Sequence, residues 1–163
     1  MAVKTDNGKP TPAAQLRSFN DKFDPKHQKF VQSIRAALRK RFPTANELAY
    51  DYKSFFVIAY SPTELGIDAA VSIAARADRV DLYFNNGPQL PDPKKLLRGS
   101  GKQTRFIRVE SAKHLAHPDV KTFIAAAIDL AAVPLPGKGK GSLIIKTNKT
   151  IAAKKRPRRK PAK

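Results

Sequence analysis

Five short runs rich in aromatic and β-branched residues follow one another between residues 47 and 110: Glu47–Tyr52, Phe55–Ser61, Asp68–Arg76, Arg79–Asn85 and Thr104–Glu110. Asp78 and Asn86-Gly87 supply turn signals between them. Val71, Ile73 and Ala75 alternate onto one face of their run, as do Val80, Leu82 and Phe84 of the next. The separations are too short for helical crossovers, so the runs predict an antiparallel meander. Such a sheet has a face to cover, and the chain carries two one-sided helices to cover it. The first has Asp24 as N-cap, Pro25 at the first helical position, and Phe30, Val31, Ile34, Leu38 and Phe42 at helical spacing before Pro43. The second begins at Pro118 and places Val120, Phe123, Ile124, Ala127, Ile128 and Ala131 on one stripe. The expected class is therefore α+β: a two-layer sandwich with both helices on one face of an antiparallel sheet of about five strands.

With 163 residues, 41% of them hydrophobic, the chain has enough apolar material for one domain. Residues 1–43 hold 10 basic and 3 acidic side chains, residues 44–134 hold 11 and 10, and residues 135–163 hold 11 and none, within a formal net charge of +19. The middle is thus a near-neutral body. The end mixes Pro136, Gly137 and Gly139 with unrelieved positive charge and cannot bury enough apolar surface to offset its ordering entropy. Within it only Leu143-Ile144-Ile145 and Ile151-Ala152-Ala153 have the composition to dock on the body. Residues 1–20, with Asn7, Gly8, Pro10 and Pro12, read as unstructured too. The expected organisation is a disordered arm over 1–20, an α+β body over 21–134 and a basic tail over 135–163. A chain ending at Val133 is expected to keep its fold.

Several function classes fall away on composition. Without Cys there is no disulfide, no thiolate nucleophile and no Cys-ligated metal. No Gly-x-Ser-x-Gly turn offers a serine nucleophile. Residues 1–15 have no apolar core of a signal peptide, and no stretch approaches the ~18 apolar residues of a membrane span. The expectation is a cytoplasmic chain, not an enzyme, with no membrane partner and no cofactor.

The stretch Asp81-Leu82-Tyr83-Phe84-Asn85-Asn86-Gly87, then Leu90-Pro91-Asp92-Pro93, then Leu96-Leu97-Arg98-Gly99-Ser100-Gly101-Lys102 with Arg105 and Ile107, resembles the signature of the YdhG-like bacterial domains of unknown function. With the stretch from Pro43 to Tyr60 and the helix after Pro118, the resemblance spans residues 24–133. It implies a frataxin-like architecture without established catalytic residues. For members labelled intracellular iron chaperones it also implies metal handling. Frataxin-type iron binding draws on a carboxylate ridge along the first helix and adjoining strand, because hard, oxygen-seeking iron needs clustered acids. After Asp24 the first helix here has none, and Glu47 and Asp51 are the acids of the first strand. No metal site is expected, and iron handling remains an alternative.

Three features carry binding chemistry. In Arg98-Gly99-Ser100-Gly101-Lys102-Gln103-Thr104-Arg105 two glycines flanked by cations are the makings of an anion nest, although Leu96 and Gln103 stand where a phosphate-binding P-loop needs Gly and Ser or Thr. This gives a small-anion or phosphate site at Arg98, Gly99, Ser100, Gly101, Lys102 and Arg105, set against a plain glycine-hinged connector. His114 and His117, three apart and ahead of Asp119, read as capping or surface residues because Pro118 starts the helix behind them. His27, on the basic first helix, reads the same way. Aromatics on the strands, with Arg76, Arg105 and Arg108 nearby, are either core, a homodimer face or a surface for stacking bases. The tail, with Lys154, Lys155, Arg156, Arg158, Arg159 and Lys160, is the strongest signal, since cations without acids attract phosphates whatever the base sequence. The expected function is a binding domain whose tail contacts nucleic acid non-specifically.

Overall fold

The structure, a computed structural model, describes residues 5–6 and 9–146. Its first helix, α1 (Pro12–Asn20), lies inside the stretch expected to be unstructured. The local chemistry explains it: the Thr11 hydroxyl accepts from the Ala14 N–H at 3.2 Å and Pro12 takes the first helical position. Leu16 is buried, and Phe19 lies 6.2 Å from Phe56 on the sheet, so the helix is held by packing as well as by its cap. The body therefore begins near residue 11.

Helix α2 (Pro25–Arg41) starts as its sequence predicts, with the Asp24 carboxylate accepting from the His27 N–H at 3.0 Å. It buries Val31, Ile34 and Leu38, each contributing about 1.5–3 kcal/mol of apolar transfer. Helix α3 (Pro118–Leu130) buries Val120, Phe123, Ile124 and Ala127. Its N-cap is His117, whose Nδ1 accepts from the Asp119 N–H at 3.2 Å, the capping role expected of it.

Besides a two-residue antiparallel pair of Thr5–Asp6 with Lys9–Pro10, the main sheet holds β1 (Asn46–Asp51), β2 (Phe56–Ser61), β3 (Val71–Arg76), β4 (Arg79–Asn85), β5 (Thr104–Val109) and β6 (Leu143–Lys146), in the spatial order β5-β4-β3-β2-β1-β6. The first five form the expected antiparallel meander, while β6 lies parallel to β1 at the edge. Register aligns Ala49, Ile58, Ile73, Leu82 and Ile107 in one row, which shares a core with the buried stripes of all three helices. The fold is thus an α+β two-layer sandwich: a mixed sheet with α1, α2 and α3 on one face. Among the described residues no helix is long and apolar enough to cross a membrane.

The body also ends later than the sequence suggests. The Glu47 N–H donates to the Ser142 carbonyl at 2.9 Å, the Ser142 N–H to Asn46 Oδ1 at 3.0 Å, and Arg39 Nη2 to the Gly141 carbonyl at 3.2 Å. Gly141 sits so close that a Cβ there would lie 1.7 Å from the Ala45 carbonyl oxygen. Leu143 and Ile145 then join the main core. Residues 141–146 pair and pack with the body, past the boundary expected at 134, so a chain ending at Val133 would lose these contacts.

Candidate nucleic-acid interface

Among the described residues the opposite face of the sheet carries no α-helix, only the short 3-10 turn Gly66–Asp68 over Tyr50. Across this face, register brings Leu48, Ala59, Ser72, Tyr83 and Phe106 into one row, and Tyr50, Val57, Ala74, Asp81 and Arg108 into the next. The loop over residues 62–69 folds down on the β1–β2 side. Asp68 holds Thr63 Oγ1 at 2.7 Å, and Ala69 closes a small cluster with Leu48 and Ala59. Burial, with Tyr52 adding to it, raises the Tyr50 phenol above its ordinary value.

Toward β4 and β5 the face changes character. Asp81 is 2% exposed. Its Oδ2 lies 3.3 Å from Arg79 Nε and 3.9 Å from Arg76 Nε, and its Oδ1 lies 3.8 Å from Arg108 Nε. Three guanidinium groups therefore converge on one buried carboxylate. Two ring stacks flank them. Tyr83 and Phe106 stack with centroids 5.0 Å apart, and Tyr52 and Phe55 with centroids 4.7 Å apart and planes 12° from parallel. Arg76 Cζ sits 4.3 Å over the Phe55 ring, a cation–π contact that extends the second stack. The sequence reading had these aromatics and Arg76 and Arg108 near one another; Asp81, which assembles the arginines, it missed. Its signal was an acid between two apolar residues of a strand, Val80-Asp81-Leu82.

The anion-nest residues are only partly assembled. Arg98 and Phe106 exchange backbone hydrogen bonds at 2.8 and 3.0 Å, closing residues 99–105 into a loop in which Gly99 adopts φ +109°. Such a backbone suits Gly. Arg105, however, spends its guanidinium on the carbonyls of Gly101 and Thr104, the latter at 2.8 Å, so it braces the loop instead of facing a ligand. Gly99, Ser100, Gly101 and Lys102 are exposed. Arg98 instead lines a groove of about 480 Å³ with Arg108, Glu110, His114, His117 and Asp119. In that groove Lys94 neutralises Asp119 at 3.2 Å, and His114 Nδ1 accepts from the Glu110 N–H at 3.2 Å.

The carboxylates of the iron alternative are both engaged by cations. Glu47, 1% exposed, takes Arg35 in a two-pronged pair at 2.8 and 2.9 Å, Arg39 at 3.4 Å and the Tyr60 hydroxyl at 3.1 Å. The bond to Glu47 raises the Arg35 pKa, and burial first, then the Glu47 charge, pushes the Tyr60 phenol well above its ordinary 10.0. Asp51 pairs with Lys22. Among the described residues no group of three or more His, Asp or Glu is placed to hold a metal.

Lys154, Lys155, Arg156, Arg158, Arg159 and Lys160 lie outside the described residues. What is described is the root of that segment. Lys146 is the register partner of Tyr50, so the described chain ends beside the end of β1 that carries Asp51 and Tyr52. No family model, no curated protein and no solved structure matches the chain.

Proposed function

We propose that the protein is a non-enzymatic nucleic-acid-binding domain, related to the YdhG-like domains, whose C-terminal segment supplies sequence-independent affinity for phosphates. The observation that carries the reading is the placement of charge. Residues 147–163 hold eight Lys or Arg and no acid, and they continue from a strand anchored at the sheet edge. A cationic segment fixed at its root gains the counterion-release term without having to form a fold of its own. In this reading the chain works in the cytoplasm.

Gel shifts of a duplex DNA by the full chain test it. Replacing Lys154, Lys155, Arg156, Arg158, Arg159 and Lys160 by Gln should weaken binding by at least tenfold at low salt, because several phosphate contacts are lost at once. Equal affinity of the two proteins would refute the reading.

A further inference from the structure

The arginine-ringed face has more in it than a cationic tail requires. One buried carboxylate cannot satisfy three guanidinium groups. Asp78, 74% exposed, takes Arg79 Nη1 at 3.2 Å, but among the described residues no acceptor is hydrogen-bonded to the Nη groups of Arg76 and Arg108, and the Arg76 guanidinium also lies against the Phe55 ring. Asp81 draws Arg76 and Arg108 together at ion-pair distance, 3.9 and 3.8 Å, without a hydrogen bond to either Nε, and their Nη donors remain available to a phosphate. Arg108 is 48% exposed and open to solvent. Tyr83 and Phe106, Asp81 and Arg108, then Arg79 and Arg76 form successive register pairs on this face. From Tyr83 to Arg79 along β4 is therefore about 13 Å, with aromatic rings at one end, arginines beyond, and the Tyr52–Phe55 stack beside Arg76. Aromatic faces that alternate with fixed cations on an open surface are what an unpaired strand requires, because its bases can leave their own stack and its phosphates need countercharge.

We infer that this face binds single-stranded nucleic acid, with bases on the Tyr83–Phe106 and Tyr52–Phe55 stacks and phosphates on Arg76 and Arg108. The inference rests on the nucleic-acid reading above and adds to it a preference for unpaired strands. A duplex hides its base faces and gains only the charge. A second copy of the chain fits poorly, since a two-fold contact through this face would set one arginine cluster near another.

Fluorescence anisotropy of the full chain with labelled oligo-dT and with a duplex of equal length separates the two claims. Tyr52→Ala and Arg108→Ala change exposed side chains, and Tyr52 stands after the end of β1, so at least one variant retains the fold as judged by its thermal unfolding. Each should lower single-strand affinity by about tenfold, on the scale of one lost base stack, and change duplex affinity less than about twofold. The six-Gln tail variant should weaken both ligands yet keep the preference for the single strand. Wild-type binding that is equal for both ligands and insensitive to Tyr52→Ala and Arg108→Ala overturns the platform and leaves the tail reading standing. Absence of binding to either ligand overturns both. A dimer in sedimentation that dissociates on Arg108→Ala overturns the platform in favour of an interface between copies.

Discussion

Glu47 shows how one residue's role depends on what the fold brings to it. In the sequence it is an acid in a strand and half of a weak case for iron. In the structure it is a buried anion held by Arg35, Arg39 and the Tyr60 hydroxyl, and it ties α2 to the sheet. Removing it strands the Tyr60 hydroxyl and leaves two cations facing an apolar floor. Glu47→Ala should therefore destabilise the fold by about 3 kcal/mol, toward the low end for a broken buried pair because Arg35 reaches solvent. Chemical denaturation measures this, and a loss below about 1 kcal/mol would show that the arginines simply rehydrate. Tyr60 adds a pH dependence of definite sign. Its folded pKa is raised, so above pH 10, where the unfolded phenol ionises, the native state holds a proton that the unfolded state has lost, and stability falls as pH rises. Tyr60→Phe should lose about 1 kcal/mol near neutrality through the missing hydrogen bond, yet fall less steeply than the wild type between pH 10 and 12. Parallel slopes for the two proteins in that window would contradict the assignment.

At the scale of elements, the strands and two helices were legible because each is written in local period and local punctuation. The Asp24-Pro25 start, the Val71, Ile73, Ala75 alternation and the Asn86-Gly87 turn all appear where the sequence puts them. What escaped was short or non-local. Helix α1 has only nine residues, and its Thr11-Pro12 start and Leu16 and Phe19 spacing were readable but outweighed by the Pro and Gly just before it. Strand β6 has four residues, and its pairing with β1 spans nearly a hundred positions, so its composition alone could suggest docking but not the parallel register. The same holds for the interface: aromatics and arginines were visible, whereas their convergence on Asp81 depends on the β4–β5 register. Because β6 protects the edge of β1, a chain ending at Val133 should melt at a lower temperature than one ending at Lys146 and should aggregate through the exposed edge. Gly141→Ala should lower stability by about 1–3 kcal/mol within the full chain, since the added Cβ meets backbone and not a flexible side chain. Circular-dichroism melts decide both, and equal melting temperatures for the two truncated chains would mean that β6 is a passenger on the sheet.

For the molecule as a whole, the proposed binding would divide between a charged segment and the sheet face, and salt tells the two apart. Contacts of the C-terminal segment with phosphates release counterions, so each adds about −0.9 to the slope of log affinity against log salt on duplex DNA. Base stacking on the sheet face, as proposed, would contribute affinity with little such dependence, because the rings carry no charge. If about half of the six cations between Lys154 and Lys160 engage, the wild type should show a duplex slope steeper by roughly 3 than the variant with all six replaced by Gln. The residual duplex slope of the variant then reports the body, chiefly the exposed Lys26, Lys29 and Lys40 of α2. On oligo-dT the variant should keep measurable binding at salt concentrations that abolish its duplex binding, since stacking survives where screening removes attraction. Titrations of both proteins against both ligands over a salt series supply the four slopes. Identical duplex slopes would mean that the C-terminal cations make no phosphate contacts, and all the binding would then belong to the folded body.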